Sequence, residues 1–142
     1  MWRDARFWAA LAAAMVFWSV LFAVVRPGLA WDWPLRYPLA FVLPALVYPV
    51  LEEIVFRGGL QEVLQRYVRG RAIGPITVAN IGTSVVFTAL HFLYHAPLWA
   101  AAVFIPSLIF GYFKDSYRRL APPIVLHVFY NTGYYWLFAA PA

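Results

Sequence analysis

Two adjacent glutamates, Glu52 and Glu53, lie within the apolar stretch 39–56 of the sequence. A charge at the centre of a membrane helix costs at least about 2.5 to 3.5 kcal/mol, and intramembrane carboxylates therefore tend to mark functional sites. Arg57 follows Glu53 by four residues, so the two can pair on one helix face. Glu52 points about 100° away, toward a different partner, and we expect it to take part in chemistry. The alternative is that all three residues form one neutralising cluster or lie at the membrane interface.

The other candidate residues are imidazoles and a carboxamide on later apolar segments. His127 and Asn131 are four residues apart and share a helix face, whereas His91 lies on an earlier segment. Each has a structural alternative, because one hydrogen bond satisfies a buried histidine and an Asn–His pair can tie helices together. His95 is expected at the membrane interface, since helices tend to end just before a proline such as Pro97. Polar groups on three membrane helices cost the least free energy when they contact one another, which predicts a single site.

Carboxylates, imidazoles and a carboxamide can act as bases and as hydrogen-bond donors. The chain has no cysteine, which excludes thiolate chemistry, disulfides and Cys-ligated zinc. The nucleophile must therefore be Ser, Thr, a carboxylate or water.

Composition indicates an integral membrane protein. Of the 142 residues 64% are hydrophobic and 12% are charged, and the mean hydropathy is +0.71. One small domain lacks enough interior for so many apolar side chains. The net charge of +5 does not indicate nucleic-acid binding, because the Lys and Arg residues lie in short segments between apolar runs, as in a bilayer protein.

Five segments are predicted to cross the bilayer as helices, each close to the required ~20 mostly apolar residues. They are residues 7–25, a segment beginning near Leu39, and residues 76–94, 98–113 and 124–138. The first is longer than the ~7 to 15 apolar residues of a signal peptide and is expected to stay as an anchor. In the linker 26–38, the aromatic residues Trp31, Trp33 and Tyr37 suit the headgroup belt. The small and polar residues of 80–84 favour close helix packing.

The second segment carries two prolines, Pro44 and Pro49, ahead of the glutamates. Each removes a backbone donor, so the helix is expected to kink or locally unwind just before Glu52. Beyond Arg57, polar residues such as Gln61 alternate with apolar ones at helical spacing, which predicts an amphipathic helix that ends at Gly70.

The distribution of Lys and Arg predicts the orientation. One side of the five-span topology holds eight of them, Arg3, Arg6, Arg66, Arg69, Arg71, Lys114, Arg118 and Arg119, and the other holds only Arg26 and Arg36. The positive-inside rule therefore predicts a cytoplasmic N-terminus. At 1.5 Å per residue, however, His91 falls near the outer end of a span that starts at Ile76, whereas Glu52 falls in the cytoplasmic half. The predicted fold is an all-α, polytopic membrane helical bundle of about five transmembrane helices, forming one domain over residues 1–142.

Three short motifs in this order resemble a known family. Glu52-Glu53-Ile-Val-Phe-Arg57 is similar to EExxxR, Phe87-Thr-Ala-Leu-His91 to FxxxH, and His127-Val-Phe-Tyr-Asn131 to HxxxN. These motifs are typical of the CAAX-processing and bacteriocin-processing intramembrane proteases, called CPBP or ABI. The short chain most resembles the compact members associated with C-terminal sorting signals, such as the JDVT-CTERM group.

The resemblance implies roles for six residues. Glu52 with His91 would orient and deprotonate the water, His127 and Asn131 would donate to the oxyanion, and Glu53 with Arg57 would brace the helix. We expect the enzyme to lie in a bilayer, the bacterial inner membrane, and to cleave a membrane-anchored protein near a C-terminal signal.

Two alternatives stay open. No HExxH motif is present and metal-free catalysis is favoured, but Glu52, His91 and His127 are plausible zinc ligands. A transporter, or a scaffold or immunity protein, would use the same polar groups for proton relay or partner binding. The odd span count, the small size and the lack of an inverted repeat disfavour transport.

Overall fold

The computed structural model describes residues 1–141, and almost every element in them is helical. The helices are α1 (Ala5–Val25), α2 (Trp33–Arg36), α3 (Pro38–Val42), α4 (Tyr48–Glu53), α5 (Gln61–Val68), α6 (Val78–His91), α7 (Pro97–Ala102), α8 (Phe104–Tyr117) and α9 (Ala121–Phe138). Two π-helical segments, Leu43–Val47 and Ile54–Leu60, join α3, α4 and α5 into one continuous helix, Pro38–Val68. The predicted all-α membrane helical bundle is confirmed.

The only strands among residues 1–141 form a short antiparallel hairpin before α6. Strand β1 (Ala72–Ile73) pairs with β2 (Ile76–Thr77), with Ala72 opposite Thr77 and Ile73 opposite Ile76. This hairpin takes up residues that the sequence assigned to the third span. Helix α6 therefore has only 14 residues, about 21 Å at the usual helical rise.

By length and composition, three helices of the described chain can cross a membrane. They are Ala5–Val25, Pro38–Val68 and Pro97–Tyr117. Helix α6 is apolar but shorter, and α9 does not belong to this set. Crossing by α6 and α9, and with it the count of five, stays a prediction.

The chain divides into two compact units. Unit 1 contains Met1–Leu51 and the residues from Val125 onward, and unit 2 contains Glu52–Ile124. One boundary falls inside the helix Pro38–Val68 and the other inside α9. That residues 1–142 form a single domain stays a prediction.

Burial is reversed relative to a water-soluble protein. Several polar side chains have no exposed surface, namely Glu53, Arg57, Gln61, Asn80, Thr83, Ser84 and Ser107. Large apolar side chains point outward, including Val24 (76% exposed), Leu39 (72%) and Leu98 (86%). A bilayer accepts apolar side chains on the outside and drives polar groups to partners within the protein.

Proline positions set several helix ends. Pro97 is the first residue of α7, and Pro122 and Pro123 lie in the first turn of α9, where a missing N–H is tolerated. The fourth segment is interrupted at Val103, between α7 and α8 and three residues before Pro106. A proline ring clashes with the carbonyl four residues before it, so the break precedes the proline.

In unit 1, helices α1 and α9 pack closely. The Tyr130 hydroxyl donates to the Ala10 carbonyl at 2.7 Å, and the ring centroids of Trp18 and Phe129 are 5.0 Å apart. Gly133 lies directly against the Trp18 indole, because a Cβ at this position would be 2.2 Å from the ring. The approach of the two helices therefore depends on glycine at position 133.

The aromatic linker is anchored to the last turns of α9. The Trp33 indole donates to the Trp136 carbonyl at 3.0 Å, and the Trp136 indole donates to the Trp31 carbonyl at 3.1 Å. Trp33 is only 2% exposed and packs edge-on against Phe41. The expectation that Trp33 belongs to a lipid-facing belt is therefore wrong, while Trp31 and Tyr37 are exposed as a belt requires.

Gly133→Ala is expected to destabilise unit 1. The added methyl group meets the rigid Trp18 ring, and overfilling of this kind reduces the free energy of unfolding by about 1 to 3 kcal/mol. Thermal unfolding of the purified protein in detergent measures the change. Gly28→Ala is the control, because a Cβ there meets nothing within 4 Å. Equal destabilisation by the two substitutions would contradict the close contact.

Candidate active site

The helix Pro38–Val68 presents a buried face that repeats every four residues. Its buried side chains include Ala45, Pro49, Glu53, Arg57 and Gln61. In a regular α-helix, positions four apart drift by about 40° per step around the axis. The two π-helical segments have wider turns, in which the N–H groups of Tyr48 and Gln61 bond to carbonyls five residues back. These wider turns offset the drift and keep the polar residues on one face.

The local distortion expected ahead of Glu52 is present, as the π-helical segment Leu43–Val47 that contains Pro44. Beyond Arg57 the helix is amphipathic, as predicted, but two residues depart from the pattern. Gln61 is fully buried, whereas Tyr67 is 80% exposed.

Arg57 lies at the centre of the buried network of unit 2. Its Nε is 3.4 Å from Oε2 of Glu53, and neither side chain has exposed surface, so the pair predicted from their spacing is present. Nη2 donates to the carbonyl of Ser107 at 2.8 Å and to its Oγ at 2.6 Å, and Nη1 donates to Oε1 of Gln61 at 3.3 Å. One carboxylate and three neutral oxygens thus surround a single cation.

The network continues toward the end of the helix. Gln61 donates through Nε2 to the Gly111 carbonyl at 3.2 Å and to Oδ1 of Asp115 at 2.7 Å. Asp115 also accepts from Gln65 and, through Oδ2, from the Thr77 hydroxyl at 2.7 Å. Three donors from two segments therefore converge on one carboxylate.

The contacts between the Glu52–Val68 part of the helix and α8 follow one parallel register. The partners are Arg57 with Ser107, Gln61 with Gly111, and Gln65 with Asp115, each 50 residues apart. Sequence reasoning missed Ser107, Asp115 and the inward direction of Gln61. The available signal was the four-residue spacing of Ser107, Gly111 and Asp115, which matches that of the buried face opposite.

Helix α6 also turns a polar face inward. Its buried residues are Ala79, Asn80, Thr83, Ser84, Phe87 and Thr88. Asn80 donates through Nδ2 to the Leu108 carbonyl at 2.9 Å and accepts from the Ser84 hydroxyl at 3.2 Å. Asn80 fits because Gly111 opposite has no side chain; a Cβ there would be 1.9 Å from Asn80 Oδ1. The close packing predicted for residues 80–84 is confirmed.

His91 ends α6 as part of this inward face. Its Nδ1 is 2.9 Å from the Phe87 carbonyl, and a carbonyl can only accept, so this hydrogen bond requires a proton on Nδ1. In the neutral ring, Nε2 is then the nitrogen that can take a proton. His95 stacks on His91 with centroids 5.5 Å apart and is exposed, as expected for an interfacial residue.

Helix α6 packs antiparallel to the Glu52–Val68 part of the long helix. Near the hairpin, Gly82 faces Leu64, since a Cβ on the glycine would be 3.3 Å from Leu64 Cδ1. Farther away, Phe87 meets Phe56 edge-on with centroids 4.9 Å apart, and the Arg57 guanidinium lies 5.8 Å from the Phe87 centroid. Earlier positions on one helix therefore pair with later positions on the other.

Extended by one helical turn, the same register brings Glu52 level with His91. Glu52 precedes Phe56 by four residues, and His91 follows Phe87 by four. Both side chains are half-buried. From Glu52 to Val68 the helix covers about 25 Å, and all of α6 covers about 21 Å. Measured along each helix from the hairpin, Glu52 and His91 therefore lie at similar heights in unit 2, because α6 begins at Val78 rather than at Ile76.

In unit 1, Asn131 has a backbone acceptor that the prolines create. The Asn131 Nδ2 donates to the Pro44 carbonyl at 3.0 Å. This carbonyl lacks its usual helical donors, because the Tyr48 N–H bonds to Leu43 instead and Pro49 has no N–H. A carboxamide nitrogen carries two protons, so the bond to Pro44 fixes the plane of Asn131 and leaves a second N–H for another acceptor.

The predicted site residues are thus distributed over both units. Glu52, Glu53, Arg57 and His91 belong to unit 2, and His127 and Asn131 belong to unit 1, one turn apart on α9. His127 is 5% exposed. Convergence of these groups on one water stays a prediction. Within residues 1–141, no three His, Asp or Glu side chains are grouped as ligands for a metal ion.

Glu53→Gln is expected to destabilise unit 2, because it leaves the Arg57 charge buried without its counter-ion. Removing one member of such a pair typically costs about 3 to 5 kcal/mol in the free energy of unfolding. The double variant E53Q/R57M removes both charges and is expected to recover part of the loss. Chemical unfolding of the single and double variants measures the coupling, and strictly additive losses would contradict it. Asp32→Asn, in an exposed pair with Arg36, is the control and is expected to change little.

Comparison with known proteins gives one match. The sequence profile of the type II CAAX prenyl endopeptidase Rce1-like family matches residues 33–133, more than half of the chain and a range that includes all six candidate residues. Searches of curated proteins and of solved structures gave no match. The chain therefore belongs to the Rce1-like family of type II CAAX prenyl endopeptidases and is an integral membrane protease of the CAAX type.

Proposed function

We propose that this protein hydrolyses a peptide bond near the C-terminal membrane segment or sorting signal of a membrane-anchored substrate, with Glu52 as the general base. The observation that carries the proposal is the antiparallel register of α6 against the long helix. Extended by one turn, this register supports a close approach of the half-buried Glu52 carboxylate and the half-buried His91 imidazole. A water between two such groups is the nucleophile that the chemistry requires.

In the proposed reaction, Glu52 removes a proton from the water while His91 orients it through Nε2. The water oxygen attacks the carbonyl carbon of the substrate, and the carbonyl oxygen becomes an oxyanion. When the C–N bond breaks, the proton held by Glu52 passes to the leaving nitrogen, and the carboxylate is regenerated. Glu53 does not share this role, because it is fully buried against Arg57.

His127 and Asn131 are proposed to donate to the oxyanion. Donors aimed in advance at the developing charge are often the largest single contribution to catalysis. The bond from Asn131 to the Pro44 carbonyl supports this role, since it holds one N–H and thereby directs the other. The reaction as proposed uses no metal.

The proposed substrate is a protein anchored in the same bilayer, because the reactive groups lie on apolar helices. We place the enzyme in the bacterial inner membrane and propose, as the finer assignment, that its substrate carries a C-terminal sorting signal of the JDVT-CTERM kind. Four half-buried or buried polar residues on apolar segments fit a substrate that arrives within the membrane rather than from solution.

Glu52→Gln is expected to abolish cleavage, because the amide keeps the shape of the side chain but cannot take a proton. The C-termini of all membrane proteins, read by mass spectrometry in cells with wild-type or variant protein, measure cleavage of any substrate in the membrane. Asp32→Asn is the matched control, since it makes the same chemical change at an exposed carboxylate. The same cleaved C-termini in wild type and E52Q, at equal protein levels, would overturn the proposal in favour of a binding role.

Pro49→Ala is expected to slow turnover by misorienting Asn131. The new N–H at position 49 competes with Asn131 for the Pro44 carbonyl, and a small displacement of a catalytic group typically costs about 10- to 100-fold in rate. We expect the loss in kcat with KM little changed, measured on a substrate identified by the C-terminal comparison. Pro38→Ala is the control, because Pro38 is the first residue of α3 and its N–H would be unpaired there anyway. Equal kcat for P49A and wild type would contradict the role of the Pro44 carbonyl.

A further inference from the structure

Three arginines share an unusual backbone conformation. Within residues 1–141, the non-glycine residues with positive φ are Arg26 (48°), Arg69 (49°) and Arg118 (52°). Each is the C-cap directly after one of the three helices able to span the membrane. The left-handed conformation at a helix end is normally left to glycine or asparagine, because a Cβ makes it unfavourable. The backbone conformation therefore does not account for a long cationic side chain at these positions.

Two of these caps lie at the same end of unit 2. Gln65 donates to Asp115, and these residues precede Arg69 and Arg118 by four and three positions respectively. The helices that the two arginines terminate run parallel in this region, as the constant register of their contacts requires. The two caps therefore lie at neighbouring helix ends, about one turn beyond a shared hydrogen bond.

Three more arginines extend this surface. Arg71 is adjacent to the hairpin, where its carbonyl accepts from the Val78 N–H at 2.8 Å, and Thr77 of the hairpin is bound to Asp115. The arginine surface consists of five exposed residues, Arg66, Arg69, Arg71, Arg118 and Arg119. Exposed apolar side chains accompany them, with Tyr67 80% and Ile73 69% exposed.

The acidic groups nearby are already engaged. Asp115 accepts from Gln61, Gln65 and Thr77, and Glu62 is paired with Lys114. In the part of the chain that the structure describes, none of the five guanidinium groups is in an ion pair. One cation at each of the two helix C-termini would be enough to stabilise the helix dipoles. Two of the five arginines would therefore suffice for this purpose.

We propose that the arginine surface binds the head groups of anionic phospholipids. The charge is complementary, and the surface lies at the ends of two membrane-spanning helices, which is the depth of the lipid phosphates. Guanidinium groups match phosphate oxygens in a bidentate geometry, and clusters of basic residues next to a membrane helix attract anionic lipids. The exposed tyrosine and isoleucine suit the boundary between head groups and acyl chains.

The test compares lipid retention by wild type and R69G/R118G. Glycine accepts the left-handed conformation, so this variant removes two charges without disturbing the helix ends. Each protein is reconstituted in nanodiscs of phosphatidylcholine and phosphatidylglycerol, and the lipids that remain bound after extraction are counted by native mass spectrometry. We expect several-fold enrichment of phosphatidylglycerol on the wild type, weakened at high salt, and loss of that enrichment in the variant.

Two further variants make the result specific. R66Q/R71Q/R119Q leaves both caps intact and is expected to reduce the enrichment as well, while R26G makes the same backbone and charge change in unit 1 and is expected to retain it. No enrichment on the wild type, or an equal loss in R26G, would overturn the proposal. Displacement of bound phosphatidylglycerol by inorganic phosphate at millimolar concentration would also overturn it, because the ligand would then be a free anion.

Discussion

The second unit is organised around one buried cation, the guanidinium of Arg57. Away from water, each of its N–H groups needs an acceptor from the protein. Glu53 supplies the opposite charge, while Gln61 and two oxygens of Ser107 supply hydrogen bonds. Because these acceptors come from two helices, satisfying Arg57 also aligns α8 with the long helix. Phe87 under the guanidinium brings α6 to the same place, so the surroundings of one side chain relate three helices to each other.

The same requirement explains the irregular shape of the long helix. A helix with a strict 3.6-residue period cannot keep residues four apart on one face over several turns, yet Glu53, Arg57 and Gln61 are all fully buried. The wider turns of the two π-helical segments keep these residues on one face. At Pro44 the wider turn has a second consequence, because it frees a carbonyl that Asn131 then satisfies. Local distortion near the glutamates is thus used both to bury polar groups and to hold a donor.

Sequence patterns were reliable where a contact lies within one helix. The Glu53–Arg57 pair follows from the spacing of the two residues, and the structure contains it. Helix α6 also ends ahead of Pro97, at His91. Patterns failed where helix type or partner mattered. The inward direction of Gln61 accompanies a π-helical segment that the spacing did not predict. The burial of Trp33 depends on the Trp136 carbonyl, an acceptor 103 residues away in the sequence. The first two residues of the predicted third span, Ile76 and Thr77, form a strand of the hairpin. The sequence did not predict this strand, because a two-residue strand leaves almost no periodic signal.

The sequence by itself determined the class of protein, the helical segments, the candidate residues and the family, because hydropathy and short spacings depend only on neighbouring residues. The tertiary structure alone decided the registers between helices: α8 parallel to the long helix with Ser107 at Arg57, and α6 antiparallel to it with Phe87 at Phe56. These registers depend on how side chains from distant parts of the chain fit together, as where Gly111 leaves room for Asn80. Such fits have no local pattern, and they determine which polar groups on different helices lie at the same depth.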